Sequence, residues 1–95
     1  MVARARESGL PAIVTTMFDS GIGTAAAIHL DALCGSDAPA SGLATLKQLE
    51  HSLLRSDPEV SNGTLTVPAG AGLGVELDFN ALERYATGPR YEMAA

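Results

Sequence analysis

Ninety-five residues, 46% of them hydrophobic, make one small domain at most or part of a larger one, and that apolar share excludes a disordered tail. The net charge is −5 with no basic run, which argues against nucleic acid and anionic membrane surfaces as partners. A single cysteine, Cys34, excludes an internal disulfide framework and a cysteine metal cluster, and nothing resembles a signal peptide or the ~18 apolar residues of a membrane span. A reducing, cytoplasmic setting is expected.

In chain order, Val2 to Ser8 is expected to be the last turns of a helix stopped by Gly9. Ala12-Ile13-Val14-Thr15-Thr16-Met17 is short, β-branched and uncharged, the pattern of a strand covered on both faces. Asp19 or Ser20 can cap the next helix, expected over Gly21 to Cys34 with an apolar stripe of Ile22, Ala25, Ala26, His29, Leu30 and Leu33. Gly35 supplies its stop.

A polar link leads to a short apolar piece around Ser41-Gly42-Leu43. Thr45, with Gln48 three residues on, has the spacing of a capping box, which predicts a helix with Leu46, Leu49, Leu53 and Leu54 on one face and Asp57-Pro58 at its end. Asn62-Gly63 between Glu59-Val60-Ser61 and Thr64-Leu65-Thr66-Val67 is a strong hairpin signal. After the glycine-rich bend of Pro68 to Gly74, a last helix begins near Asp78, with Phe79, Leu82 and Tyr85 on one side and Gly88-Pro89 closing it.

Strand, helix, strand, helix is the order of a parallel sheet overlaid by helices. Two strands cannot cover themselves, and the core is thin: there is no Trp, and the aromatics are Phe18, Phe79, Tyr85 and Tyr91. Residues 1–57 carry the α/β pattern, and 58–95 the hairpin, bend and terminal helix.

Chemistry-bearing residues are few. Asp19 follows the C-terminal end of the first strand, the edge where α/β folds build sites, and can equally serve as a helix cap. Gly21-Ile22-Gly23-Thr24-Ala25-Ala26 has the GxGxxA spacing of a dinucleotide loop, yet Asp37, near the distance of a ribose-binding acid, falls in a linker; tight helix packing explains the glycines as well. His29 reads as a structural histidine on an apolar stripe, His51 as solvated on the exposed side of its helix, and Cys34 as a small hydrophobe. The Gly70–Gly74 stretch lacks the Lys-Ser/Thr of a phosphate loop, and Lys47, the only lysine, lies in a first helical turn.

Three stretches nevertheless resemble one family. Ile13-Val14-Thr15-Thr16-Met17-Phe18-Asp19-Ser20-Gly21-Ile22-Gly23-Thr24-Ala25-Ala26-Ala27-Ile28-His29-Leu30 resembles the seventh barrel strand and following helix of the mandelate racemase and muconate lactonizing family of the enolase superfamily. Ser41-Gly42-Leu43-Ala44-Thr45 resembles its eighth strand, with Ser41 in place of the usual His. Asn62 to Pro68, then Gly72-Leu73-Gly74-Val75-Glu76-Leu77-Asp78, resembles its closing signature.

The resemblance implies the C-terminal fragment of a modified (β/α)7β TIM-type barrel, with residues 58–95 returning toward the capping domain. It implies Mg2+-assisted abstraction of a proton next to the carboxylate of a small substrate, of the muconate cycloisomerase or o-succinylbenzoate synthase type, with dipeptide epimerases third. The acidic metal ligands and acid/base lysines of that family would precede Met1, so this chain alone is expected to lack catalysis and to bind no metal. What it retains is a substrate-facing rim of Met17, Phe18 and Asp19 at strand seven and Ser41 and Gly42 at strand eight. The expected partners are the missing barrel portion or a second copy. The rival readings are a non-catalytic remnant or interaction protein and a small nucleotide-binding module.

Overall fold

The computed structural model of the chain describes residues 1–94. Helix α1 (Val2–Glu7) runs into Gly9, whose φ of +71° is a left-handed turn that costs glycine little, so the expected stop is in place. Arg6, in its last turn, donates to the carbonyls of Leu33 and Cys34. Those carbonyls follow the C-terminal end of helix α2 (Gly21–Asp31), the end of a helix that favours a cation.

The extended segment before α2 pairs through one residue. Thr15 bridges Gly42 in parallel, with Thr16 N–H donating to Gly42 O at 3.0 Å and Gly42 N–H to Val14 O at 3.0 Å. The parallel relation expected of these two pieces is present, and α2 joins them. Regular strand extends no further at either piece.

Helix α2 buries Gly21, Thr24, Ala25 and Ile28, the i, i+3, i+4, i+7 spacing of one helical face. The stripe expected from sequence is therefore rotated: Leu30 and Leu33 are 46% and 69% exposed, and the helix ends at Asp31 rather than Cys34. Small apolar residues surround this helix, so hydrophobicity marks its phase poorly. Contact chooses instead, because only glycine at position 21 can lie against Leu54. Neither candidate cap bonds the helix by its side chain: Ser20 holds the N-cap position without a side-chain bond, and Asp19 Oδ2 accepts from Met17 N–H.

The expected helix over 45–57 does not form. Leu46–Gln48 makes one 3-10 turn, and Thr45 does not cap it but pairs its hydroxyl with that of Thr16 at 2.7 Å. Beyond it the backbone is taken by distant partners. Ser52 O accepts from Gly21 N–H at 2.7 Å, Leu53 O from Asp78 N–H at 2.9 Å, and Arg55 N–H donates to Glu76 O at 3.0 Å. Leu54 bridges Leu77 in antiparallel fashion, and Leu53 stands at φ +70°, outside any right-handed helix. Leucine spacing alone could not exclude this, since Leu46 and Leu54 are buried in either conformation.

Strands β1 (Val60–Ser61) and β2 (Thr64–Leu65) form the expected hairpin, turned by Asn62 at φ +51° and Gly63 at φ +73°. Helix α3 (Phe79–Tyr85) begins where expected, capped by Asp78 Oδ1, which accepts from Asn80 and Ala81 N–H. Its buried residue is Ala81, while Phe79 remains 56% exposed. The core joining these pieces consists of Ala25, Ile28, Cys34, Leu43, Leu46, Leu54 and Ala81. Small side chains dominate it, as the composition implies.

Candidate functional site

Exposure alternates along the first extended segment. Ile13, Thr15 and Met17 are exposed, whereas Ala12, Val14 and Thr16 are half-buried. This is the two-residue period of a pleated strand whose one face is covered. Gly42 shares the open face with Thr15, because a Cβ built on Gly42 would lie 3.1 Å from Thr15 Cγ2. On the covered side Thr16 and Thr45 join hydroxyls.

The open face ends in the turn of Met17, Phe18 and Asp19. Met17 and Phe18 are 75% and 68% exposed. Asp19 Oδ2 accepts the Met17 N–H at 3.0 Å, folding the carboxylate back over the turn, and its Cβ lies 3.1 Å from where a Cβ on Gly23 would fall. The structure thus gathers Met17, Phe18 and Asp19 and places Gly42 on the same open face. Ser41 does not join them. Its hydroxyl donates to Asp31 Oδ1 at the far end of α2, on the covered side of the segment. A one-residue step reverses the face of an extended chain, which separates Ser41 from Gly42. Thr15 and Ile13, passed over as buried strand residues, are the ones that flank Gly42 on the open face; the alternation of the segment together with a partner glycine was the available signal.

The remaining candidates have structural partners. The Gly21 N–H is taken by Ser52 O, and Leu54 fills the space a phosphate would need beside Gly21, so packing accounts for the glycine motif. His29 Nε2 hydrogen-bonds Leu73 O at 2.9 Å, and Cys34 is buried. His51 is not simply solvated: Nδ1 accepts from Leu53 N–H and Nε2 stands 3.7 Å from Asp78 Oδ2. Between α2 and the hairpin lies a cleft of about 270 Å³ lined by Ile28, Leu43, Leu46 and Leu65; Thr24 also borders it, its buried Oγ1 lacking a hydrogen-bond partner among the described residues.

Among the described residues, no three His, Cys, Asp or Glu side chains converge as a bound metal ion requires. Asp19 serves the Met17 turn, Asp31 accepts from Ser41, and Asp78 caps α3. These residues do not fit a Mg2+ site. No helix among the described residues is long and apolar enough to cross a membrane.

The profile of enolase C-terminal domain-like proteins matches residues 1–81. The chain belongs to that family. Within it, the chain is similar to an N-succinylamino acid racemase of Thermus thermophilus, 30% identical over 93 residues, covering 98% of this chain and 25% of the relative. It is also similar to a chloromuconate cycloisomerase of Cupriavidus necator, 34% identical over 85 residues, covering 90% of this chain and 23% of the relative. An o-succinylbenzoate synthase of Geobacillus kaustophilus is 30% identical over 79 residues, covering 83% of this chain and 21% of the relative. The chain thus spans about a quarter of the length of the curated relatives it matches. No solved structure matches it significantly. Membership makes the fold class α/β, as the sequence pattern and the family resemblance led us to expect.

Proposed function

We propose that the chain is the C-terminal arc of a (β/α)7β barrel enzyme of the enolase superfamily, and that it supplies pocket wall rather than catalytic groups. The observation that carries this reading is the open face of Ile13, Thr15, Met17 and Gly42, exposed on one side while the other side is half-buried. In a barrel, that face is the interior, and the turn after the strand is the rim where substrate is met. Residues 1–57 belong to the barrel and 58–95 run toward a cap.

The relatives' names, a racemase, a cycloisomerase and a synthase, support isomerase or lyase chemistry on a small carboxylate substrate. The family resemblance implies that it proceeds by proton abstraction beside the carboxylate, Mg2+-assisted in the full-length enzymes. No step of it is assigned to this chain, because Asp19, Asp31 and Asp78 are engaged in the structure and its only lysine, Lys47, lies in the 3-10 turn. Met17, Phe18 and Asp19 would instead shape the pocket and exclude water from it. Gly42 keeps the wall low beside Thr15. Ser41, its hydroxyl held by Asp31, would contribute through its backbone. The partner of this chain is then the remainder of a barrel, with self-association as the substitute when none is supplied.

A chimera tests this: residues 1–95 in place of the matching last quarter of the Thermus racemase. Deuterium exchange at the α-carbon of an N-succinylamino acid should be retained by the chimera and absent from the isolated chain. Exchange catalysed by the isolated chain, or a saturable site for Mg2+ on it in calorimetric titration at micromolar metal, overturns the reading.

A further inference from the structure

His51 stands between the irregular segment 49–54 and helix α3, and its two ring nitrogens make different demands. Nδ1 accepts the backbone N–H of Leu53 at 2.9 Å, and a nitrogen that accepts a hydrogen bond carries no proton. The neutral ring therefore holds its hydrogen on Nε2, which faces Asp78 Oδ2 at 3.7 Å. The ring also lies against Tyr85, with centroids 6.0 Å apart. The His51 side chain is 29% exposed, so solvent protons reach it. The charged and titratable groups around it are Asp78 and Tyr85 of α3, with Arg84 above the Tyr85 ring, and Glu50, Arg55, Asp57 and Glu59 of its own segment.

What this bond holds is a strained residue. Leu53 has φ +70°, a conformation that a leucine adopts only when its surroundings impose it. The chain on both sides is tied to other parts of the molecule. Ser52 O receives the first N–H of α2 from Gly21, Leu53 O receives Asp78 N–H, and Leu54 packs against Gly21.

We propose that His51 is a proton-operated latch on the segment that seats the start of α2. Protonation places a hydrogen on Nδ1, pointing at the Leu53 N–H, and two donors cannot share that contact. The imidazolium keeps Asp78, whose carboxylate it now meets as an ion pair, and gives up Leu53. Leu53 then loses the bond that holds it in the left-handed region, and residues 52–54 relax. The Ser52 carbonyl moves with them, so Gly21 and the Met17–Asp19 turn before it lose their anchor. Acidification that protonates His51 thereby loosens the start of α2. The latch itself is independent of the barrel reading; only its effect on a substrate rim rests on that reading.

Hydrogen exchange read by mass spectrometry on the racemase chimera, where the chain has a barrel to pack against, tests it, with rates corrected for the intrinsic effect of pH. Peptides covering 52–54 and 20–22 should exchange about tenfold faster at acid than at neutral pH, the effect of one lost hydrogen bond. In H51N the side-chain oxygen accepts the Leu53 N–H at any pH, so the pH response should vanish; in H51F both peptides should be loose throughout. Equal protection at both pH values, or a response that persists in H51N, overturns the proposal. Nitrogen-15 shifts of the wild-type ring provide a check that needs no variant: a protonated Nδ1 at neutral pH would also overturn it. Loss of activity in the chimera leaves these outcomes unchanged, so the two readings fail separately.

Discussion

Gly21 and Leu54 leave no room between them: a Cβ on Gly21 would lie 2.3 Å from Leu54 Cγ and 3.0 Å from Ser52 O. Replacing Gly21 by Ala should therefore overpack the joint, at about 1–3 kcal/mol. Leu54→Ala alone empties a core position, for about 2–5 kcal/mol. The two changes together should cost less than their sum, because the added methyl enters the space that Leu54 vacates. Thermal unfolding of the racemase chimera carrying each variant measures this, and strict additivity would show that the two residues do not press on one another.

Ser41→Ala separates structure from recognition. The lost bond to Asp31 at the end of α2 should lower stability by about 1 kcal/mol, since the contact is only partly buried. In the chimera KM should stay unchanged, whereas Met17→Ala and Phe18→Ala should raise it with little effect on the melting temperature, both side chains being mostly exposed. A raised KM for Ser41→Ala would return its hydroxyl to the rim.

Asp78→Ala removes the cap of α3, with its two backbone bonds at 3.0 and 3.1 Å. A loss of about 0.5–2 kcal/mol is expected, largely restored by Asp78→Asn, whose carbonyl oxygen accepts the same N–H groups. Amide exchange across Phe79–Tyr85 reports it directly. If Asp78→Asn proves as damaging as Ala, charge rather than capping geometry matters at this position.

The isolated chain should be loosely packed or self-associated. Ile13, Met17, Phe18 and Leu33 are 54%, 75%, 68% and 69% exposed, and a large apolar side chain left in water forgoes about 1.5–3 kcal/mol. A small domain has only about 5–15 kcal/mol in hand. Urea unfolding with sedimentation gives the answer. A monomer with one sharp transition, at a midpoint independent of concentration, would identify a complete domain.

Much of the local structure was legible because its signals are local. Gly9 marks the end of α1, Asp78 the start of α3, and Asn62-Gly63 the hairpin, since in each case the conformation depends on the residue's own backbone freedom or on a partner within three positions. The parallel approach of Thr15 and Gly42 followed from the order of elements. The family, too, was legible, because three motifs recur in one order over most of the chain.

Nonlocal contact decided the rest. Leucines at 46, 49, 53 and 54 suit a helix, but the backbone there pairs with Gly21, Glu76 and Asp78, which no window of sequence contains. The same pairing brings His51 to Asp78 and Leu53. Ser41 and Gly42 are neighbours in sequence and face opposite ways in space, because an extended chain reverses its side chains at every residue, so Ser41 meets Asp31 of α2 while Gly42 meets Thr15. The sequence by itself determined where the chain turns and which family it belongs to, through short-range backbone preferences. Only the tertiary structure decided which residues share a face, since that depends on which distant hydrogen bonds and contacts displace the local ones.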